Sequence, residues 1–204
     1  DALYLLRERG KAMQEAVPLG TGSMVAILGM KTEEIIKLLN SIKKDKYICE
    51  VANDNANGQV IVSGNKESVE SLQIILKEKK IKSIPLKVSA PFHCSLMKPA
   101  ADIMKQKINS TEFINPSFEI INNVTAKPET NSDKIKPLLV EQIFSTVKWR
   151  ESLIKMQDNR VNNFIEIGPG KVLIGMVKRT VKGANCFSIN SIADIKNFIN
   201  EFKK

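Results

Sequence analysis

The 204-residue chain is 43% hydrophobic and 26% charged, the balance of a globular protein with room for a sizeable core. No apolar run approaches the roughly 18 residues that would span a membrane, and the N-terminus lacks the basic-then-apolar layout of a signal peptide. The formal net charge of +9 favours acidic partners. The lysines are spread along the chain without the aromatic interleaving of single-strand binders, so no motif supports nucleic-acid binding.

Asp1 to Val17 reads as an amphipathic helix. At helical spacing Leu3, Leu5, Leu6, Ala12, Met13, Ala16 and Val17 share one side, and Tyr4, Glu8, Lys11 and Glu15 the other. Arg9 falls near the middle of the apolar side, where a guanidinium must either pair with an internal carboxylate or serve as a socket for an anionic ligand. Pro18, Gly20 and Gly22 end the helix.

A strand at Met24–Leu28 follows, then a helix capped by Thr32 with Ile35, Ile36, Leu38 and Leu39 inward. Strands are expected at Tyr47–Ala52 and Gln59–Ser63, with Asn53–Gly58 between them as a turn rich in residues that tolerate positive φ. Val69, Leu72, Ile75 and Leu76 mark a second helix, and Ile81–Leu86 a fourth strand. The order β-α-β-β-α-β is that of a ferredoxin-like unit, placed at residues 17–86.

Ser89-Ala90-Pro91-Phe92-His93-Cys94-Ser95-Leu96-Met97-Lys98-Pro99-Ala100 contains the only histidine in the chain. Its imidazole is the side chain best suited to proton transfer at neutral pH. Pro91 fixes a turn ahead of it and helical spacing begins at Leu96, so His93 sits at a strand-to-helix junction. It is either a general base or a satisfied polar residue in a turn.

Beyond His93, helices are expected at Leu96–Ile108, Ser132–Phe144 (with Pro137 inside it), Trp149–Gln157 and Lys171–Val181. Strands are expected at Phe118–Asn122, Asn163–Ile167 and Cys186–Ile189, and Ser191 caps a last helix. This alternation suggests a mainly parallel sheet covered by helices. Gly168-Pro169-Gly170-Lys171 lacks phosphate-loop spacing and reads as a tight turn. Cys49, Cys94 and Cys186 are odd in number and form no CxxC pair, which argues against a disulfide framework or a zinc site and for a reduced cytoplasm. No metal site and no cofactor are expected.

The His93 segment resembles the catalytic-histidine segment of the bacterial malonyl-CoA:acyl carrier protein transacylases. So do, in the same order, Arg9-Gly10-Lys11-x-Met13-Gln14-Glu15-Ala16-Val17-Pro18, Gly58-Gln59-Val60-Ile61-Val62-Ser63-Gly64 and Glu166-Ile167-Gly168-Pro169-Gly170-Lys171-Val172-Leu173. The resemblance implies an α/β fold. An incomplete hydrolase-like parallel-sheet subdomain (1–16 and 87–204) would carry the ferredoxin-like subdomain (17–86) as an insertion. It also implies that Arg9, in a segment shared with Met13, holds the free carboxylate of a malonyl group, and that Phe92 excludes an α-methyl branch. His93 would be the base, oriented by the backbone carbonyl of Gln142. The implied partners are malonyl-CoA and an acidic acyl carrier protein in fatty acid synthesis, with no nucleic acid or membrane, and the intact protein is expected to be a monomer.

The resemblance also implies a serine nucleophile in a Gly-His-Ser-x-Gly elbow and a Gly-Gln-Gly oxyanion segment, and neither motif occurs in the 204 residues. Ser89 and Ser95 lie near His93 but have no elbow context. The chain by itself is therefore expected to be inactive. Two readings stand side by side: part of an acyltransferase, or a non-catalytic fragment or split-gene product that binds the carrier or a partner chain.

Overall fold

The computed structural model describes residues 1–42 and 46–202. It is α/β, with eight α-helices and a mixture of parallel and antiparallel strands among the described residues. The chain divides into two compact units, Asp1–Trp149 and Arg150–Lys204.

The first unit opens with α1 (Ala2–Glu15), followed by β1 (Gly22–Leu28), α2 (Thr32–Ile42), β2 (Cys49–Ala56), β3 (Gln59–Asn65), α3 (Lys66–Glu78) and β4 (Lys82–Pro85). The strands form one antiparallel sheet in the order β2-β3-β1-β4. Period-two alternation sends Val25 and Ile27 of β1, and Val60 and Val62 of β3, to the face covered by Ile35 and Leu39 of α2 and by Val69, Leu72 and Leu76 of α3. Met24 and Ala26, on the opposite face of β1, are buried as well, so β1 is covered on both sides. The start of α2 differs from expectation: Thr32 is already helical, and the Glu34 carboxylate accepts the backbone N–H of Lys31 at 2.8 Å.

Asn53–Gly58 is not a six-residue turn. Strand β2 continues through Asn53, Asp54 and Asn55, and the reversal is confined to Asn57-Gly58, where Gly58 takes φ +71°. Tertiary pairing overrides local propensity here. Asp54 N–H donates to the Val147 carbonyl at 2.9 Å and Val147 N–H to the Ala52 carbonyl at 2.8 Å, so the segment is held from both edges. Register shifts between Val51 and Asn53 and between Asp54 and Ala56 absorb the irregularity.

After the His93 loop, a 3₁₀ turn at Ser95–Met97 leads into α4 (Lys98–Asn109). A short antiparallel pair follows, β5 (Ile120–Ile121) with β6 (Pro128–Glu129), then α5 (Ser132–Glu141). The strand expected over Phe118–Asn122 is thus two residues long, and its partner begins with a proline, which lacks a ladder donor. A second core joins Ala12 and Met13 of α1 to Ala100, Ala101, Met104 and Ile108 of α4 and to Ile143. Leu3 and Leu6 do not share it: they are 83% and 62% exposed. Only one stripe of α1 meets the α4 core, so the apolar face is narrower than its periodicity suggests.

The second unit holds α6 (Trp149–Asp158), β7 (Asn163–Ile167), α7 (Val172–Thr180), β8 (Asn185–Ile189) and α8 (Ile192–Phe202). Strands β7 and β8 pair in parallel, from Asn163 with Asn185 to Ile167 with Ile189. Ser191 caps α8, its Oγ accepting Asp194 N–H at 3.2 Å while the Asp194 carboxylate accepts Asn190 N–H at 2.9 Å.

Candidate active site

The loop carrying His93 is fastened to the antiparallel sheet before and after the histidine. Ahead of it, buried Pro91 lies against β1, where a Cβ on Gly22 would overlap the proline ring. Behind it, fully buried Cys94 donates through Sγ to the Pro91 carbonyl at 3.1 Å and meets Ser63 Oγ of β3 at 3.5 Å. Ser95 then gives its backbone N–H and its hydroxyl to the two carboxylate oxygens of Glu50 on β2, at 2.8 and 2.7 Å.

His93 itself has φ +59°. For a residue with a Cβ this left-handed backbone costs about 1–2 kcal/mol and persists only where the surroundings hold it. The half-buried ring places Nδ1 2.8 Å from the backbone carbonyl oxygen of Gln142. A carbonyl only accepts, so Nδ1 carries the proton and Nε2 is left with the basic lone pair. Burial pushes the imidazole pKa below its ordinary value. The Gln142 bond opposes that shift, and the positive charge of Arg9 adds to it. The ring is therefore neutral, and competent as a base, at neutral pH.

Gln142 lies just past α5, and its side-chain amide donates to Asn123 Oδ1, which fixes the residue from a second direction. Arg9 is half-buried on α1. Its Nε is buried without a hydrogen-bond partner, and among the described residues no carboxylate forms a salt bridge with it. Burial lowers its pKa, the mark of a cation desolvated without compensation. Of the two readings of Arg9, the internal ion pair is not what the structure contains.

Two cavities of about 500 Å³ each flank this arrangement. Arg9 and Gln142 line one, together with Leu5, Met104, Phe113 and Leu139. His93 lines the other, with Glu50, Val51, Val124 and Phe144. Phe92 packs in part against the α1–α4 core, and Met13 is buried within that core, one helical turn beyond Arg9. Met13 thus anchors the turn of α1 that carries the guanidinium and lines neither cavity.

The other potential nucleophiles near His93 are occupied, buried or out on the surface. Ser95 Oγ is committed to Glu50, Ser89 is exposed ahead of the turn, and burial raises the pKa of the Cys94 thiol. Cys49, also buried, is pushed up to about 12. Among the described residues no group of His, Cys, Asp and Glu side chains is placed to hold a metal ion, and no helix is long and apolar enough to cross a membrane.

Glu50 and Asn123 escaped the sequence reading. A lone glutamate on a strand and one asparagine of an Asn-Asn pair carry no local signal, because their partners lie 45 and 19 residues away.

No protein-family model matches the chain. A malonyl CoA-acyl carrier protein transacylase of Haemophilus influenzae is 40% identical over 203 residues, covering 99% of this chain and 64% of that protein. The chain is homologous to the malonyl CoA-acyl carrier protein transacylases. It spans 62–65% of the length of the curated relatives it matches. The solved transacylase of Clostridium perfringens superposes with a TM-score of 0.93 at 33% identity, over 98% of this chain and 63% of that one. A malonyl-transacylase solved in complex with a type II polyketide-synthase acyl-carrier protein gives 0.93 at 38% identity, over 98% and 65%.

Proposed function

We propose that the protein bearing this chain transfers a malonyl group from coenzyme A to the phosphopantetheine thiol of an acyl carrier protein, in the cytoplasm, for fatty acid synthesis. The observation that carries this reading is His93, held through Nδ1 by the Gln142 carbonyl so that Nε2 is the basic nitrogen, with a desolvated Arg9 whose buried Nε has no hydrogen-bond partner among the described residues. A base and a carboxylate socket are the two features malonyl transfer asks of these residues, and relatives at about 40% identity bear that activity in their names.

His93 Nε2 takes the proton of a serine hydroxyl contributed from outside the 204 residues. That serine attacks the malonyl thioester, coenzyme A leaves as its thiol with the proton returned by His93, and an acyl-serine remains. The carrier's thiol then gives its proton to His93 and attacks the acyl-serine, and the malonyl thioester forms as the serine regains its proton. Arg9 holds the malonyl carboxylate as a bidentate pair. Phe92 limits room beside the α-carbon, and Met13 keeps the Arg9 turn of α1 seated.

The architecture that supports this division of labour is a ferredoxin-like subdomain at 17–86 inserted into an incomplete hydrolase-like subdomain formed by 1–16 and 87–204. The sheet order β2-β3-β1-β4 with α2 and α3 on one face supports the first part of this description, and the parallel β7–β8 pair the second.

The test is malonyl transfer by the full-length protein from malonyl-CoA to an acyl carrier protein bearing phosphopantetheine, read as the mass of the carrier. Malonylated carrier is the expected product. An unchanged carrier, with binding but no transfer, would replace this reading with that of a non-catalytic carrier-binding protein.

A further inference from the structure

Glu50 sits on β2, opposite Ser63 of β3, and so belongs to the antiparallel sheet rather than to the helices around His93. Its carboxylate reaches across 45 residues of sequence to take both hydrogen bonds that Ser95 can give, at 2.8 Å from the backbone N–H and 2.7 Å from Oγ. Ser95 is two residues beyond His93, where the 3₁₀ turn leading into α4 begins. A carboxylate bonded to the first N–H of a helical segment is a charge-assisted contact, short and directional.

What this contact holds is the exit from a left-handed residue. His93 at φ +59° needs its flanking backbone fixed on both sides. Upstream, Pro91 packs on Gly22 of β1. Downstream, Cys94 contacts Ser63 of β3 only through sulfur, at 3.5 Å, a weak bond. The Glu50–Ser95 pair is the strong downstream fastening. Glu50 also lines the cavity that His93 lines. Both Glu50 oxygens are engaged by Ser95, so its action on His93 is through backbone geometry.

We infer that Glu50 is a positioning residue for His93: by clamping Ser95 to the sheet it fixes the backbone that aims the imidazole. This inference rests on the proposed role of His93 as base.

In the full-length protein, Glu50→Ala should lower kcat for malonyl transfer by about 10- to 100-fold, the scale of a misaligned catalytic group. The KM for malonyl-CoA should stay within about twofold, because both carboxylate oxygens of Glu50 are engaged by Ser95. Glu50→Gln should restore kcat to within about fivefold of wild type, since the amide oxygen can accept Ser95 N–H and the amide nitrogen can donate to Ser95 Oγ. The pH of half-maximal kcat/KM on the acid side should be the same in wild type and Glu50→Gln. If Glu50→Ala does not fold, Ser95→Ala decides: it removes one of the two bonds and should reduce kcat about threefold or more at unchanged KM.

With the wild type active, full kcat in Glu50→Ala (or in Ser95→Ala, where that variant decides), a rise in KM alone, or a shifted acid limb in Glu50→Gln would overturn the inference and leave the proposed function standing. An inactive wild type would overturn both.

Discussion

The Nδ1 atom of His93 lies 2.8 Å from the backbone carbonyl oxygen of Gln142. That bond selects one tautomer with no side chain other than the imidazole itself, and it leaves Nε2 as the basic nitrogen. The same half-buried ring is partly desolvated and feels the charge of Arg9, and both effects disfavour its protonated form. The Gln142 bond acts the other way, and burial outweighs it.

In the full-length protein, kcat/KM for malonyl-CoA should be flat near neutrality and fall on the acid side with a midpoint below the ordinary imidazole value of about 6.5. The sign follows from the depressed pKa: the neutral, active form persists to lower pH than for a free imidazole. Arg9→Gln removes a positive charge that resists protonation of His93, so the acid midpoint should move to higher pH. An initial-rate profile of both proteins checks this, and a midpoint moving downward in Arg9→Gln would contradict it.

Arg9 should also discriminate between acyl groups. Arg9→Ala is expected to cost about 2–4 kcal/mol in kcat/KM for malonyl-CoA, the loss of a charge-assisted bidentate pair. Acetyl-CoA has no free carboxylate and should lose far less. Competition between the two thioesters, followed by mass spectrometry of the carrier, reads the ratio; equal losses on both would count against the socket.

Phe92 should set tolerance for a branch at the α-carbon. Phe92→Ala is expected to raise kcat/KM for methylmalonyl-CoA relative to malonyl-CoA. Because Phe92 also packs against the α1–α4 core, its removal should lower the melting temperature as well. A variant with unaltered substrate preference would reduce Phe92 to a packing role.

Leu72 is fully buried between α3 and the antiparallel sheet. Leu72→Ala should destabilise the protein by about 2–5 kcal/mol, the transfer and cavity cost of a large-to-small change. Urea denaturation measures it, and a loss well below 1 kcal/mol would mean that this core is not closed as described.

Much of this was legible in the chain because the signal was local. The β7 span Asn163–Ile167 is the one its composition suggests, and α3 carries Val69, Leu72 and Leu76 inward as their spacing requires. The place of His93 at a strand-to-helix junction was readable from Pro91 and the spacing after Leu96. What escaped depended on distant partners. Asn53–Asn55 have the composition of a turn, yet Val147 and β3 hold them as strand. Leu3 and Leu6 have the spacing of a core face, yet α1 buries only its Ala12–Met13 stripe. The left-handed backbone of His93 is set by packing and hydrogen bonds from the sheet, Glu50 included, and nothing in its neighbours' identities announces it.

Covalent capture of the acyl-enzyme tests the role of His93 without the second half of the reaction. The full-length wild-type protein and its His93→Ala variant are each incubated with malonyl-CoA, quenched and weighed intact. The wild type should gain one malonyl group rapidly, and His93→Ala should do so at least about a hundredfold more slowly, as expected when a general base is lost. Equal rates of malonylation in the two proteins would show that another group activates the nucleophile.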